Sequence, residues 1–354
     1  MSLPPRRQCC EERNRFRIII FRAGALGDFI LTLPAIAALR RSRPGAFIEV
    51  VAHPQYADLA VKAGLIDKVR SLDSASMAVF FQSQAELPSA EIEYIRSFDL
   101  VISFLHDPDG VLFSQFKNAG AKNIIAVSPI VKKGHAADHF LEAIKDVGGV
   151  EFIQPFARSH FVKCENASTL PLEQLPSRQT DLKGSHQILL KWPPFLKAEA
   201  RRRFGAQIGS RQIIVIHPGS GSPAKNWPAE KFALLAQKIK AETNFTPVIL
   251  GGEADTRPVA VMRSLLPGFH FLENLSLEDA AALLSVAAGF VGNDSGITHL
   301  AAALGIPVVA LFGPTDPALW APHGKNVRIL QRGALAEIDV GCVLEALAGK
   351  LRGG

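Results

Sequence analysis

Short unbroken apolar runs alternate along this chain with longer stretches whose apolar residues recur every three to four positions. FRIIIF (16–21) reads as a buried strand, and the apolar positions after Asp28 keep helical spacing as far as Arg43. FIEVVA (47–52), FDLVISF (98–104) and NIIAV (123–127) predict further strands, with helices between and after them, the last at 135–147. Such alternation predicts a parallel sheet flanked by helices. Between about 150 and 190 the pattern fades. The segment ENASTLPLEQLPSRQTDLKGS is polar and proline-bearing and reads as a linker region. The alternation then restarts, with strands expected at 212–216, 246–250, 288–291 and 307–312 and helices at 228–241, 276–286 and 296–304. A last helix is expected at 334–350. The expectation is an α/β chain of two domains, 1–191 and 192–354, with 1–15 disordered and a cleft between the domains.

Composition narrows the class of partner. With 48% hydrophobic and 20% charged residues, the chain can bury two large cores and is not a disordered one. A net charge of +6 over 354 residues is too diffuse to argue for nucleic acid, but it suits an anionic substrate or a loose association with an acidic membrane surface. The four cysteines, Cys9, Cys10, Cys164 and Cys342, show no CxxC spacing, so neither a zinc site nor a disulfide framework is expected and a reducing cytoplasm fits. The lead-in MSLPPRRQCCEERNR lacks the apolar run of a signal peptide. The apolar stretch from Gly296 to Gly313 is broken by His299, Gly305 and Pro307, and reads as a helix followed by a buried strand, not as a membrane span.

Three glycine-bearing turns carry the candidate chemistry. RAGALGD (22–28) joins the first strand to the first helix, where free backbone N–H groups and the helix dipole meet the carboxyl end of a sheet. It is not a dinucleotide fingerprint. Arg22 replaces the first glycine, and the acid expected at the end of the second strand is missing, since Glu49 lies inside that strand and His53 follows it. Asp28 is either a helix N-cap or a general base. HPGSGSPAKNWP (217–228) is the second turn. Its small residues let peptide groups approach a phosphate, Ser220 and Ser222 can donate hydroxyl hydrogens, and Lys225 supplies a point charge.

In GNDSGITHLAAALG (292–305), Asp294 or Ser295 can cap the helix that follows, and His299 falls one turn after Ser295 on the same face. A second helix N-terminus near the first anion loop, beginning at Gly296, suits a diphosphate. His299 is either a packed core histidine or a ligand group. Glu253, in GGEADT just after a strand, is placed to accept from a ribose diol, or simply starts the next helix. His106-Asp107-Pro108-Asp109 contains D-x-D, a metal-binding pattern elsewhere, but reads here as a loop.

With these residues in view, the chain resembles glycosyltransferase family 9, the ADP-heptose:lipopolysaccharide heptosyltransferases. The resemblance rests on RAGALGDFILTLPAIAALRRSRPGAFIEVVA, IHPGSGSPAKNWPAEKFALLA and NLSLEDAAALLSVAAGFVGNDSGITHLAAALGIPVVALFGPTDP, about a third of the chain; 73–200 matches only loosely. It implies a GT-B fold of two Rossmann-like domains, an inverting reaction, and no required metal or other cofactor. Asp28 matches the family's Gly-Asp aspartate, which implies a base for the acceptor hydroxyl. Ser220 and Lys225 match contacts to the donor phosphates, and Glu253 the ribose-binding acid. Asp294, Ser295, Gly296 and His299 match the D-[ST]-G-x-x-H block around the donor's diphosphate and sugar. The implied partners are a nucleotide-sugar donor, expected to be ADP-heptose, and an anionic glycan or glycolipid acceptor such as a lipopolysaccharide core. The implied location is the cytoplasm, with peripheral association at the inner face of its membrane. Two rival readings are a nucleotide-sugar epimerase of the same architecture and a non-catalytic nucleotide-sugar binder.

Overall fold

The computed structural model describes residues 15–83, 86–145, 147, 160–163, 190–209 and 211–352. The expected disordered lead-in and most of the expected linker region lie outside these residues. The chain divides into two units, Met1–Glu151 and Phe152–Gly354.

The first unit is built on five parallel strands: β1 (Arg17–Phe21), β2 (Phe47–Ala52), β3 (Lys68–Ser71), β4 (Leu100–Ser103) and β5 (Ile124–Ala126). They lie in the order β3-β2-β1-β4-β5. An all-parallel sheet is covered on both faces, which is why its central strands read as unbroken apolar runs; Ile18, Ile19 and Ile20 of β1 are fully buried. Helix Leu26–Ser42 follows β1, buries nearly every side chain between Phe29 and Leu39, and packs against helix Ala136–Glu142. Consecutive β1 and β2 are neighbours, while β4 returns to the other side of β1. The strand order therefore reverses between β1 and β4, and the crevice outside the carboxyl ends at such a point is where open α/β sheets bind ligands.

The second unit repeats the plan with seven parallel strands. These are β6 (His160–Lys163), β7 (Ile213–His217), β8 (Thr246–Gly251), β9 (His270–Glu273), β10 (Gly289–Asn293), β11 (Val308–Phe312) and β12 (Val327–Gln331). Their order is β6-β12-β11-β10-β7-β8-β9. The reversal here falls between β7 and β10. Every residue of β7, β10 and β11 is buried. One core cluster joins these strands to helix Ala229–Glu242 and helix Val340–Arg352, with Trp227 and Phe232 at its centre.

All eight strands expected from the sequence are present. β3, β6, β9 and β12 were not expected; three are edge strands, and KVRS and HFLE are only partly buried, so they carry no apolar run. The last helix starts at Val340, later than the expected 334, because Leu335–Glu337 forms a single 3-10 turn and the Asp339 carboxylate accepts from Gly341 N–H. Among the described residues no helix is long and apolar enough to cross a membrane.

Candidate functional site

Each unit places its glycine turn at the reversal point of its own sheet. In the first, Asp28 is the third residue of helix Leu26–Ser42, not its N-cap; Ala25 holds the cap position with extended backbone. Asp28 Oδ2 reaches back and accepts from Ala25 N–H at 2.9 Å. Its other oxygen, Oδ1, lies 3.5 Å from Arg22 Nη2, and the side chain stays 37% exposed. The carboxylate is thus held at the helix N-terminus with one edge open to solvent. Gly24 makes this possible: its φ of +110° suits glycine, and a Cβ there would stand 2.8 Å from Asp28 Oδ2. Burial pulls the Arg22 guanidinium below its ordinary value, and the charge of Asp28 acts in the opposite direction.

In the second unit the turn after β7 is clipped to the end of β10 by one residue. Asn293 is fully buried. Its Nδ2 donates to Pro218 O at 2.8 Å and Gly219 O at 3.3 Å, and its Oδ1 accepts from Trp227 N at 2.9 Å. Ser220 lies inside the same turn, nearly buried, with Oγ 2.7 Å from both Ser222 O and Asn226 Oδ1. The turn is therefore a preformed loop, held by internal bonds to the Ser220 hydroxyl and to the Pro218, Gly219 and Ser222 carbonyls.

Lys225 ends the short 3-10 segment Pro223–Lys225 and points at Asp294, with Nζ donating to Oδ2 at 2.8 Å. Lys225 is 34% exposed and Asp294 8%, so the pair is anchored on the acid and open on the ammonium side. Asp294 Oδ1 lies 4.0 Å from His299 Nε2. Ser295 is the N-cap of helix Gly296–Ala303 and its side chain accepts from Thr298 N. Thr298, itself buried, donates its hydroxyl to Asn293 O and tightens the bend between strand and helix. One helix N-terminus, one ammonium and a glycine turn thus meet at the ends of adjacent strands. That combination suits a diphosphate.

A third strand end joins them. His217 Nε2 lies 3.0 Å from Asp255 Oδ2, and both residues are buried. The same Asp255 oxygen accepts from Gly252 N–H at 2.8 Å. Burial pushes the Asp255 carboxyl up, but the His217 hydrogen bond and charge and the Gly252 N–H outweigh it, and the group sits below its ordinary value. Gly219 rests directly on this carboxylate, where a Cβ would come within 1.6 Å of Oδ1. Glu253, two residues before Asp255, is exposed at the end of β8. The pair therefore ties the turn that carries Glu253 to the glycine turn that carries Ser220.

Ser220 and Lys225 follow β7, Asp294 and Ser295 follow β10, and Gly296 and His299 lie on the helix after it; the structure brings the two strand ends together, and Glu253 is tethered to them through Asp255. Asp28 belongs to the other unit. Asp107 of the D-x-D segment accepts from Leu112 N and Phe113 N and so caps helix Val111–Asn118, a loop role as expected. Sequence reasoning missed Asn293, the His217–Asp255 pair, and the part that Arg22 plays beneath Asp28. Asn293 and Asp255 each stand beside a motif residue, but nothing in their spacing announces which backbone they hold.

Residues 178–347 match the model of glycosyltransferase family 9 (heptosyltransferase). The lipooligosaccharide heptosyltransferase 2 of Haemophilus influenzae is 35% identical over 161 residues, which is 42% of this chain and 46% of that protein. The match therefore spans less than half of that relative's length. Among solved structures, a family 9 glycosyl transferase from Veillonella parvula is similar with a TM-score of 0.72 at 20% identity, covering 96% of this chain and 98% of that one. The ADP-heptose lps heptosyltransferase II of E. coli gives 0.70 at 20% identity, covering 96% and 99%. These likenesses show the fold: two parallel-sheet Rossmann-like units of the GT-B class.

Proposed function

We propose, from the premise that this chain belongs by the sequence of its second unit to glycosyltransferase family 9, that it is an inverting glycosyltransferase. It moves a sugar, heptose, from an ADP-sugar donor to a lipopolysaccharide-core or related glycan acceptor without a metal ion. The observation that carries this reading is the Lys225–Asp294 pair, 2.8 Å long, beside the N-terminus of helix Gly296–Ala303. A cation beside a helix N-terminus and a glycine turn supports stabilisation of a departing nucleoside diphosphate.

In this reading the acceptor oxygen attacks the anomeric carbon as Asp28 takes the hydroxyl proton. The new C–O bond forms on one face of the sugar while the bond to the diphosphate breaks on the other, its electron pair leaving on the phosphate oxygen. Lys225, the glycine-turn N–H groups and the helix N-terminus stabilise that charge. Asp294 and His299 face the donor sugar, Ser220 lies by the phosphates and Glu253 accepts from the ribose. The chain's net charge of +6 suits an anionic acceptor and peripheral attachment to the cytoplasmic side of an acidic membrane.

The test is a product assay with ADP-heptose and a core glycolipid that lacks heptose. Transfer with net inversion, unaffected by chelator, is expected. Conversion of the nucleotide sugar without acceptor would instead identify an epimerase, and tight donor binding with no turnover against any acceptor a non-catalytic binder.

A further inference from the structure

The guanidinium of Arg22 is 5% exposed, although arginine is rarely so deeply buried without a specific partner. Taking a cation out of water is costly unless it is paired and hydrogen-bonded, so the fold alone gives little reason for one here. Its donors reach three residues, and two of the donors converge on the Asp28 carbonyl. Nε lies 3.0 Å from Thr32 Oγ1 and 3.3 Å from Asp28 O, and Nη2 lies 3.1 Å from the same carbonyl. Thr32 Oγ1 in turn donates to Asp28 O at 2.9 Å. Nη1 crosses the strand reversal to Phe104 O at 3.3 Å, and the Phe140 ring lies 4.8 Å beneath the guanidinium carbon. The Asp28 carbonyl thus receives hydrogen bonds from two side chains, and its carboxylate is held between Ala25 N–H and the Arg22 charge.

We propose that Arg22 is a positioning residue for Asp28. Its fork fixes the main chain of Asp28 across the β1–β4 reversal, and its charge keeps Oδ1 turned back, so that the open edge of the carboxylate faces the acceptor hydroxyl. Arginine is required over lysine because three separate oxygens and one ring face must be met at once by a planar group. The inference rests on Asp28 being the base. It assigns Arg22 no contact with either substrate, and it places the effect in the proton-transfer step, not in donor binding.

The experiment compares Arg22→Lys, Arg22→Met and Asp28→Asn for transfer rate, donor KM, ADP affinity and melting temperature. Arg22→Lys is expected to keep ADP affinity and donor KM within about twofold while kcat falls about tenfold, and Arg22→Met to lose about 100-fold, the scale of a misplaced reacting group. Arg22→Lys in the Asp28→Asn background is expected to cause no further loss, because there is no base left to position. Wild-type kcat in Arg22→Lys, with Asp28→Asn inactive, would overturn this inference and leave the base assignment standing. Wild-type turnover in Asp28→Asn would overturn both. Loss of ADP affinity and of melting temperature along with kcat in Arg22→Lys would show a purely structural arginine and overturn the inference as well. Should Arg22→Met fail to fold, Arg22→Lys and the double variant decide the matter.

Discussion

The two units share a plan and put different machinery on it. Both carry a glycine turn at the reversal point of a parallel sheet, ahead of a helix N-terminus. In the first unit that turn presents a single carboxylate, open on one edge and backed by one buried cation. In the second, three strand ends are cross-linked: Asn293 clips β10 to the turn after β7, Lys225 bridges to Asp294, and His217 bridges to Asp255 after β8. A base needs an accessible oxygen held at one angle. A diphosphate cradle needs many donors fixed at once, because each unsatisfied or mobile donor weakens the stabilisation of developing charge. In the proposed reaction this contrast divides the chemistry, with proton transfer assigned to the first unit and leaving-group stabilisation to the second.

That division is open to direct attack, and the largest effect is expected at Asp28. Asp28→Asn should lower transfer by about a thousandfold, within the range of general-base catalysis, and leave ADP affinity within twofold. Kinetics beside calorimetry would show it, and equal losses in both would erase the division. Lys225→Ala should do the reverse and weaken ADP binding about tenfold to 100-fold, the range of about 1.5–3 kcal/mol for a hydrogen bond to a charged group.

Two glycine variants sharpen the comparison because each adds one methyl group beneath its own site. Gly219→Ala drives a Cβ into the Asp255 carboxylate, and overpacking of about 1–3 kcal/mol should appear as weaker ADP binding and a lower melting temperature. Gly24→Ala meets Asp28 Oδ2 at a backbone angle that L-residues avoid, a strain of about 1–2 kcal/mol that should appear in the transfer rate and not in ADP affinity. The smallest effect concerns acid. Because the Asp255 carboxyl sits below its ordinary 3.8, its contribution to stability is complete above that pH and is lost as pH falls through the lower folded value. Denaturant unfolding of wild type and Asp255→Asn should therefore differ most above pH 4 and converge below it.

Much of this was legible in the sequence, for identifiable reasons. Ile18–Ile20 and the residues of β7, β10 and β11 lie in the middle of covered sheets, so burial on both faces leaves unbroken apolar runs. β3 and β9 lie at edges with half-exposed side chains, and their polar content hid them. The glycine and Asp-Ser-Gly turns were visible because close backbone approach restricts the residue types that fit. What spacing could not give is contact over long separation. Lys225 and Asp294 are 69 positions apart and His217 and Asp255 are 38 apart, and only the parallel strand order makes them neighbours. The N-cap reading of Asp28 failed by three residues, because its carboxylate reaches back to the cap position from inside the helix.

Calorimetric titration with ADP, UDP and GDP, each with and without magnesium, measures whether the second unit holds a metal-independent ADP-sugar site. Selective ADP binding that magnesium leaves unchanged is the predicted result. Preference for UDP or GDP, or binding that appears only with the metal, would contradict it.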